Sequence, residues 1–177
     1  VTPRTCGFSI IPTESLHPLT CHIYEFLMFI GGAPGSSAAG IKVTTAAVLV
    51  YTMVAMCRGQ RDTVISKRIV PTDIVRESLV IFMAIVVFTA VIMGMLLVTE
   101  QGSSLTSDAL FFEAVSAITT TGLSIGDTTE RLSTEGRMVI MIAMFFGRLG
   151  ALSVVMMIGD RECRSLIRHP TEELVVG

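Results

Sequence analysis

The residues with the most recognisable chemistry form a short motif that occurs twice, at 5–9 and at 120–124. Each copy reads threonine, any residue, glycine, an apolar residue and serine. Glycine tolerates backbone angles that turn successive carbonyl oxygens toward one axis, and carbonyls arranged in this way replace the hydration shell of a cation. We therefore predict that the backbone binds a cation at eight positions, namely Thr5, Cys6, Gly7, Phe8, Thr120, Thr121, Gly122 and Leu123.

The two motifs belong to a longer internal repeat. Residues 13–16 resemble 129–132, and residues 28–31 resemble 144–147, in the same order along the chain. A single Thr-x-Gly is most often an ordinary turn, but three collinear blocks are hard to obtain by chance. We predict a repeat unit made of a pore loop, a short linker and an inner helix, with one whole copy and one copy that lacks its beginning.

Apolar stretches of membrane length must position these motifs. Residues 78–99 contain no charge and as a helix would span about 33 Å, enough for a hydrocarbon core of about 30 Å. Residues 138–158 are similarly long and apolar, with Arg148 near the middle. Residues 107–119 would span only about 20 Å as a helix, and they lead directly into the second motif. This short stretch is therefore predicted to be a re-entrant pore loop.

A broken helix is predicted earlier in the chain. Residues 23–30 and 43–57 are apolar, and between them lies a run of glycine, alanine, serine and proline. A loop exposed to lipid would leave backbone groups unpaired, so such a break must be buried in protein or line a cavity. Broken helices at membrane depth are typical of ion and substrate pathways. The sequence thus predicts an all-α membrane protein with transmembrane helices, a re-entrant pore loop and one inner helix broken by an intramembrane loop.

Composition agrees with a membrane protein and excludes several other classes. Of the 177 residues, 51% are hydrophobic and only 16% are charged, whereas a soluble domain carries about 25% charge. The formal net charge of −2 argues against nucleic-acid binding. We find no paired catalytic carboxylates, no nucleophile with a base, and no cysteine spacing typical of a zinc site or disulfide framework. We therefore expect neither an enzyme nor a covalently bound cofactor.

Charge asymmetry predicts the orientation in the membrane. The segment 58–77 carries five basic residues, and three arginines follow Ile158, so both stretches are expected to be cytoplasmic. The segment 100–135 carries six acidic residues and a single arginine. That face is expected to be external, where negative potential concentrates cations at a pore mouth. We predict a multi-pass plasma-membrane protein in the lipid bilayer, with a cytoplasmic C-terminus.

At these residues the sequence resembles the Trk/Ktr/HKT superfamily of potassium transporters, and within it the Ktr-type membrane subunits. Residues 4–9 and 120–124 are similar to the family's third and fourth filter loops, 31–42 to its intramembrane gating loop, and 144–148 to its last inner helix. The resemblance implies four pore-loop units around one pore, which passes K⁺, with Na⁺ as the other candidate ion. It also implies a homodimer and a cytoplasmic nucleotide-binding regulatory subunit.

The resemblance further implies which residues gate the pore, and the list is Gly31, Gly32, Gly35, Ser36, Ser37, Gly40, Lys42 and Arg148. A charge at mid-membrane costs at least about 2.5–3.5 kcal/mol, and Arg148 is equally well interpreted as a structural charge satisfied by carbonyls. Lys42 has the alternative of a lysine that snorkels to the interface. Glu25 is expected to be paired or to face a cavity, and Glu113 to hold the pore loop by hydrogen bonds.

The resulting organisation has four segments. We assign 1–57 to the end of the third pore unit, 58–77 to a cytoplasmic linker, 78–158 to the fourth pore unit and 159–177 to a cytoplasmic tail, so we expect the C-terminal part of a longer protein. The predicted function is potassium uptake through a carbonyl-lined filter gated by an intramembrane loop. Two alternatives remain: a secondary transporter with a small-solute site at the broken helix, and a non-conducting membrane assembly protein.

Overall fold

The computed structural model describes residues 2–9, 13, 16–33, 39–60, 63–65 and 68–149. The predicted gating residues Gly35, Ser36 and Ser37, and the predicted tail, lie outside these ranges. The described part is helical, as predicted, with one short hairpin. After a 3-10 turn at Thr2–Arg4 the elements are α1 (Pro18–Phe29), α2 (Val43–Cys57), β1 (Val64–Ile65), β2 (Arg68–Ile69), α3 (Thr72–Thr99), α4 (Ser107–Ile118), α5 (Thr128–Arg131) and α6 (Thr134–Leu149).

Helix α3 contains the predicted membrane span and is longer than its apolar part. It begins at Thr72, directly after Pro71, so its 28 residues extend for about 42 Å. The charged residues of its first turns do not interrupt the helix, because arginine and glutamate are good helix formers and Asp73 in the first turn interacts favourably with the helix dipole. Among the described residues, α3 is the one helix long and apolar enough to cross a membrane. Most of its apolar surface is left uncovered by the rest of the chain.

Helix α4 lies at the centre of the core, in contact with α1, α3 and α6. Every residue from 112 to 119 is buried. One apolar cluster joins α4 to α3 and α6, with Ile92, Leu96, Leu110, Ile118 and Ile140 among its members. A second joins α4 to α1, with Met28, Phe112, Val115 and Leu123. Since each large apolar side chain contributes about 1.5–3 kcal/mol on burial, these clusters fix the position of a helix that is too short to cross a membrane.

The end of α3 holds the beginning of α6 through Glu100. Ser133 directly precedes α6, and its hydroxyl accepts a hydrogen bond from the Gly136 backbone N–H at 3.0 Å, as a capping serine does. The Oε1 atom of Glu100 accepts from both the backbone N–H and the hydroxyl of Ser133, at 2.9 and 2.6 Å. A Cβ atom at Gly136 would overlap this oxygen. The glycine therefore permits a carboxylate at the N-terminus of α6, where the helix dipole favours negative charge.

Two short strands lie between α2 and α3. Strands β1 and β2 pair antiparallel, with Val64 opposite Ile69. The Thr63 hydroxyl donates to the Thr52 hydroxyl of α2 at 3.1 Å, and both residues are buried. The segment predicted as a linker therefore contains a hairpin attached to α2, followed by the first turns of α3.

Candidate cation-binding site

Both Thr-x-Gly motifs adopt the same uncommon backbone. Thr5 and Thr120 have φ angles of 51° and 52°, and Gly7 and Gly122 have φ angles of 67° and 79°. Among the described residues, these two threonines are the only non-glycine residues with positive φ. A β-branched residue is unfavourable in this region, and such strain persists where the surroundings enforce it, most often at functional sites. The repeat found in the sequence is therefore also a repeat of backbone conformation.

The alternation of φ within each motif suits the coordination of a cation. The residue between threonine and glycine has no positive φ in either copy, so the sign changes at each step from Thr120 to Gly122. A backbone that alternates in this way can turn successive carbonyls to one side, which is how carbonyl-lined filters replace ion hydration. The role of these carbonyls as ion ligands stays a prediction.

The two motifs, which are far apart in the sequence, lie against each other in the fold. A Cβ atom at Gly7 would stand 2.6 Å from the carbonyl oxygen of Thr121 and 3.4 Å from that of Gly122. Gly7 consequently has no room for a side chain. By contrast, a Cβ atom at Gly122 would have no neighbour within 4 Å. Carbonyls of the second motif thus face the backbone of the first.

The C-terminal turn of α4 shapes the second motif. The Ser116 carbonyl accepts a hydrogen bond from the Thr121 N–H at 2.9 Å, and the Ser116 hydroxyl accepts one from the Leu123 N–H at 3.0 Å. The hydroxyls of Thr119 and Thr121 are 2.9 Å apart, and both residues are buried. The Thr121 side chain therefore points into the protein. The negative end of the α4 dipole lies at the same place and favours a cation.

Glu113 accepts hydrogen bonds from the last residue of the second motif and from α5, while its role in holding a pore loop stays a prediction. Its Oε1 atom accepts hydrogen bonds from the Ser124 hydroxyl at 3.2 Å and from the Thr129 hydroxyl at 2.6 Å. Glu113 itself is buried. The carboxyl group therefore links α4 to Ser124 and to Thr129 of α5.

The residues that follow α1 and those that precede α2 form a short parallel pairing. Ile30 and Ile41 form a parallel bridge. The Gly31 N–H donates to the Ile41 carbonyl at 2.8 Å, and the Ile41 N–H donates to the Phe29 carbonyl at 3.0 Å. A Cβ atom at Gly31 would overlap the carbonyl oxygen of Ala39. The segment that leads into α2 thus runs parallel to the end of α1. Because Gly31 has no side chain, the two segments can approach each other closely.

Gly40, in the segment that leads into α2, lies close to the residue that precedes the second motif. It has a φ of 86°, and a Cβ atom there would stand 3.2 Å from the carbonyl oxygens of both Met28 and Phe29 and 3.6 Å from the methyl group of Thr119. Thr119 directly precedes the second Thr-x-Gly. The returning part of the loop therefore packs beside the end of α4.

The remaining predicted residues occupy separate positions. Lys42 is the residue before α2, and Gly32 accepts a backbone hydrogen bond from Val43 at 3.3 Å. Arg148 lies in the last turn of α6, with an exposed side chain. Glu25 is buried, and its Oε2 atom lies 2.9 Å from Nδ1 of His22, so the prediction that Glu25 is paired is confirmed.

Two residues of this region were not singled out from the sequence. Ser116 had a signal, since it is a polar residue inside the apolar helix that precedes the motif. Gly147 also had one, because the repeat aligns it with Gly31. A Cβ atom at Gly147 would overlap the carbonyl oxygen of Ile118, at the end of α4. Both glycines of this repeat position therefore allow a close approach to a carbonyl.

A family profile and several curated proteins match this chain. The profile of TrkH, described as a cation transport protein, matches residues 1–161. The Ktr system potassium uptake protein B of Bacillus subtilis (strain 168) is 36% identical over 177 residues, which cover 100% of this chain and 39% of that protein. Protein D of the same system is 38% identical over 176 residues, covering 98% and 38%. The potassium/sodium uptake protein NtpJ of Enterococcus hirae is 31% identical over 180 residues, covering 100% and 40%.

A solved structure matches the fold. The crystal structure of the potassium transporter TrkH from Vibrio parahaemolyticus aligns with a TM-score of 0.69 and 19% sequence identity, covering 91% of this chain and 35% of that one. At this identity the likeness is one of fold. The chain spans about 39% of the length of the first of the curated relatives.

Proposed function

Because the chain belongs to the TrkH family of cation transport proteins, we propose that it forms part of the ion path of a potassium uptake protein. The observation that carries the proposal is the contact between two Thr-x-Gly loops with the same alternating backbone. The relatives named as potassium uptake proteins support K⁺ as the ion, and NtpJ, named for potassium and sodium, supports Na⁺ as its competitor. The family is one of ion transporters and not of enzymes.

In this proposal the selectivity filter is made of backbone carbonyls. Its ligands come from 5–8 in the first motif and 120–123 in the second. The hydrogen-bonding distance of 2.9 Å between the Thr121 and Thr119 hydroxyls supports this, because it turns the Thr121 side chain into the protein. Helix α4 acts as a re-entrant pore helix, with its negative end toward the ion.

The loop between α1 and α2 is proposed to be the gate. In this view α1 and α2 are the halves of one broken inner helix, and the parallel bridge between Ile30 and Ile41 supports it. The gating residues that we propose in this loop are Gly31, Gly32, Gly35, Ser36, Ser37, Gly40 and Lys42. The contact of Gly40 with Thr119 supports a gate that lies directly beneath the filter loop. Arg148 is proposed to face this loop from α6.

The complete protein is proposed to surround its pore with four such units, of which 1–57 closes the third and 78–158 forms the fourth. The basic segment 58–77 and the tail 159–177 are proposed to be cytoplasmic. By resemblance to the family, the protein forms a homodimer governed by a nucleotide-binding regulatory subunit. The basic charge of the connecting segment supports its place on the cytoplasmic side.

The first test is transport by the complete gene product in cells that lack potassium uptake. We expect growth at low external K⁺ to be restored, and uptake of K⁺ tracer to saturate at low concentration. Cells that still fail to grow, although the protein is present in the membrane, would contradict potassium uptake. Accumulation of an organic solute without K⁺ uptake would instead favour the small-solute transporter.

The second test concerns the filter. We expect Gly122→Ser to lower the ratio of K⁺ to Na⁺ uptake, because the φ of 79° is unfavourable for serine and the loop must rearrange. Gly102→Ser is the matched control, since Gly102 has a φ of 98° and likewise no neighbour within 4 Å of a Cβ atom. An unchanged ratio in Gly122→Ser would remove this residue from the filter.

A further inference from the structure

A cluster of hydroxyl groups and one carboxyl group surrounds Ser124, which we call the Ser124 junction and define as Thr13, Glu113, Ser124 and Thr129. On one side, the Ser124 hydroxyl lies 2.9 Å from the Thr129 hydroxyl and 3.2 Å from Oε1 of Glu113. On the other side, the Thr13 hydroxyl donates a hydrogen bond to the Ser124 carbonyl. Ser124 is thus held through its side chain by its own repeat unit and through its backbone by the other unit.

Thr13 and Thr129 occupy equivalent positions in the repeat but make different contacts. Each follows a Thr-x-Gly motif at nearly the same distance. Thr129 bonds within its own unit, to Glu113 at 2.6 Å. Thr13 bonds to a residue 111 positions further along the chain. The Thr13 bond is therefore a link between the two units, made directly beyond the second motif.

Glu113 is an acidic residue buried in the apolar surroundings of α4. Its Oε1 atom accepts two hydrogen bonds, but its buried Oε2 atom accepts none from the described residues. A carboxyl group that is buried with only one bonded oxygen is costly. An apolar residue would fill the same space without that cost, but it would bond neither Ser124 nor Thr129.

We propose that Thr13 and Glu113 are positioning residues which, through Ser124, hold the two Thr-x-Gly loops at a fixed separation and thereby set the ion selectivity. The inference rests on the proposed function, since it assumes that these loops form the filter. Neither side chain touches the ion. Only Leu123 lies between Ser124 and the second motif's glycine, so a displacement of Ser124 is passed to the filter backbone within two residues.

The test uses the complete protein and measures K⁺ and Na⁺ uptake in the same cells. Thr13→Val keeps the shape of the side chain but removes the donor, and we expect the ratio of K⁺ to Na⁺ uptake to fall several-fold with the protein still in the membrane. Thr13→Ser keeps the donor and is expected to keep the ratio. Thr89→Val is the matched control, because among the described residues the buried Thr89 hydroxyl bonds only within its own helix, to the Ile85 carbonyl at 2.8 Å.

A second variant tests the same junction from its other side. Thr129→Val removes the donor to Glu113 and is also expected to lower the ratio. Because both threonines act through Ser124, the double variant should lower the ratio by less than the product of the two single effects. If Thr13→Val does not reach the membrane, Thr129→Val still tests the Ser124 junction, since this variant alone should then change the selectivity.

The outcomes separate this inference from the proposed function. If the unsubstituted protein transports K⁺ and both valine variants keep its selectivity, the junction does not position the filter, although the transport proposal stands. If the unsubstituted protein does not transport K⁺, the proposed function itself fails. If the two substitutions lower the ratio independently, they do not act through one junction, and the coupling is overturned.

Discussion

Two threonines, Thr5 and Thr120, sit in a backbone region that costs an L-residue about 1–2 kcal/mol. Local hydrogen bonds hold both of them there in the same way. The Thr5 N–H donates to the Thr2 carbonyl at 3.1 Å, and the Thr120 N–H donates to the Ala117 carbonyl at 3.1 Å. The same turn therefore precedes each motif. At the scale of the residue, the fold retains the same strained conformation twice. Both strained residues are among those predicted to bind the ion.

The first prediction at this scale is that Gly7→Ala lowers K⁺ uptake strongly. The new Cβ atom would stand 2.6 Å from the Thr121 carbonyl oxygen, so one of the two loops must move. Gly59→Ala is the matched control, because Gly59 has nearly the same φ, 69° against 67°, with no neighbour within 4 Å. Growth at low K⁺ measures both variants. Equal growth would show that the contact between the motifs has no part in uptake.

The motif residues could be found from the sequence, but their contact could not. The repeat and the positive φ expected of glycine follow from local patterns, and they identified Gly7 and Gly122. That Gly7 packs on Thr121 depends on how segments more than a hundred residues apart are brought together. Thr13 is missed for the same reason, since nothing beside it in the sequence indicates a partner at Ser124.

At the scale of the element, the bounds of α2 and α4 were predicted more closely than those of α3. Helix α2 has the predicted bounds, and α4 differs by one residue at its C-terminus. Helix α3 begins six residues before the uncharged stretch, because charge marks where a membrane helix leaves the apolar layer and not where its hydrogen bonds stop. The hairpin was not predicted, since its two-residue strands are too short to produce a periodic pattern.

The prediction at this scale concerns the crossing of α6 and α4. We expect Gly147→Ala to destabilise the protein by about 1–3 kcal/mol, the usual range for overpacking, because its Cβ atom would overlap the Ile118 carbonyl. Gly94→Ala, in α3, has no neighbour within 4 Å and should be neutral or stabilise by up to about 1 kcal/mol. Thermal unfolding of the purified protein in detergent measures both. A melting temperature that is unchanged in Gly147→Ala would contradict the close crossing.

At the scale of the whole molecule, the uncovered apolar surface is the dominant feature. Helix α3 exposes many large apolar side chains along its length, Val87, Met95 and Val98 among them, and α2 exposes others, including Met53 and Met56. A soluble protein rarely exposes apolar surface so extensively. Membership of the TrkH family accounts for it, because lipid and neighbouring helices cover such surfaces in a membrane protein.

The prediction at this scale concerns orientation. Cys57 ends α2 beside the basic segment, and Ser103 lies in the acidic loop after α3; both are exposed. In a protein whose other cysteines are replaced by serine, we expect a membrane-impermeant maleimide to label Cys57 only from the cytoplasmic side. With Cys57 also replaced, Ser103→Cys should be labelled from outside. The reverse pattern would invert the proposed topology and place the C-terminus outside.

The attachment of α6 at both ends has a mechanical consequence. Glu100 fixes its first turn, and the contact of Gly147 with Ile118 fixes its last described turn. Both ends of the described part of α6 are therefore attached to the same core. The connection between α1 and α2 is different, because in the described residues it is held by a few backbone hydrogen bonds around Ile30 and Ile41. Under the proposed function, we therefore expect α6 to keep its place when the pore opens and the connection between α1 and α2 to be the part that moves.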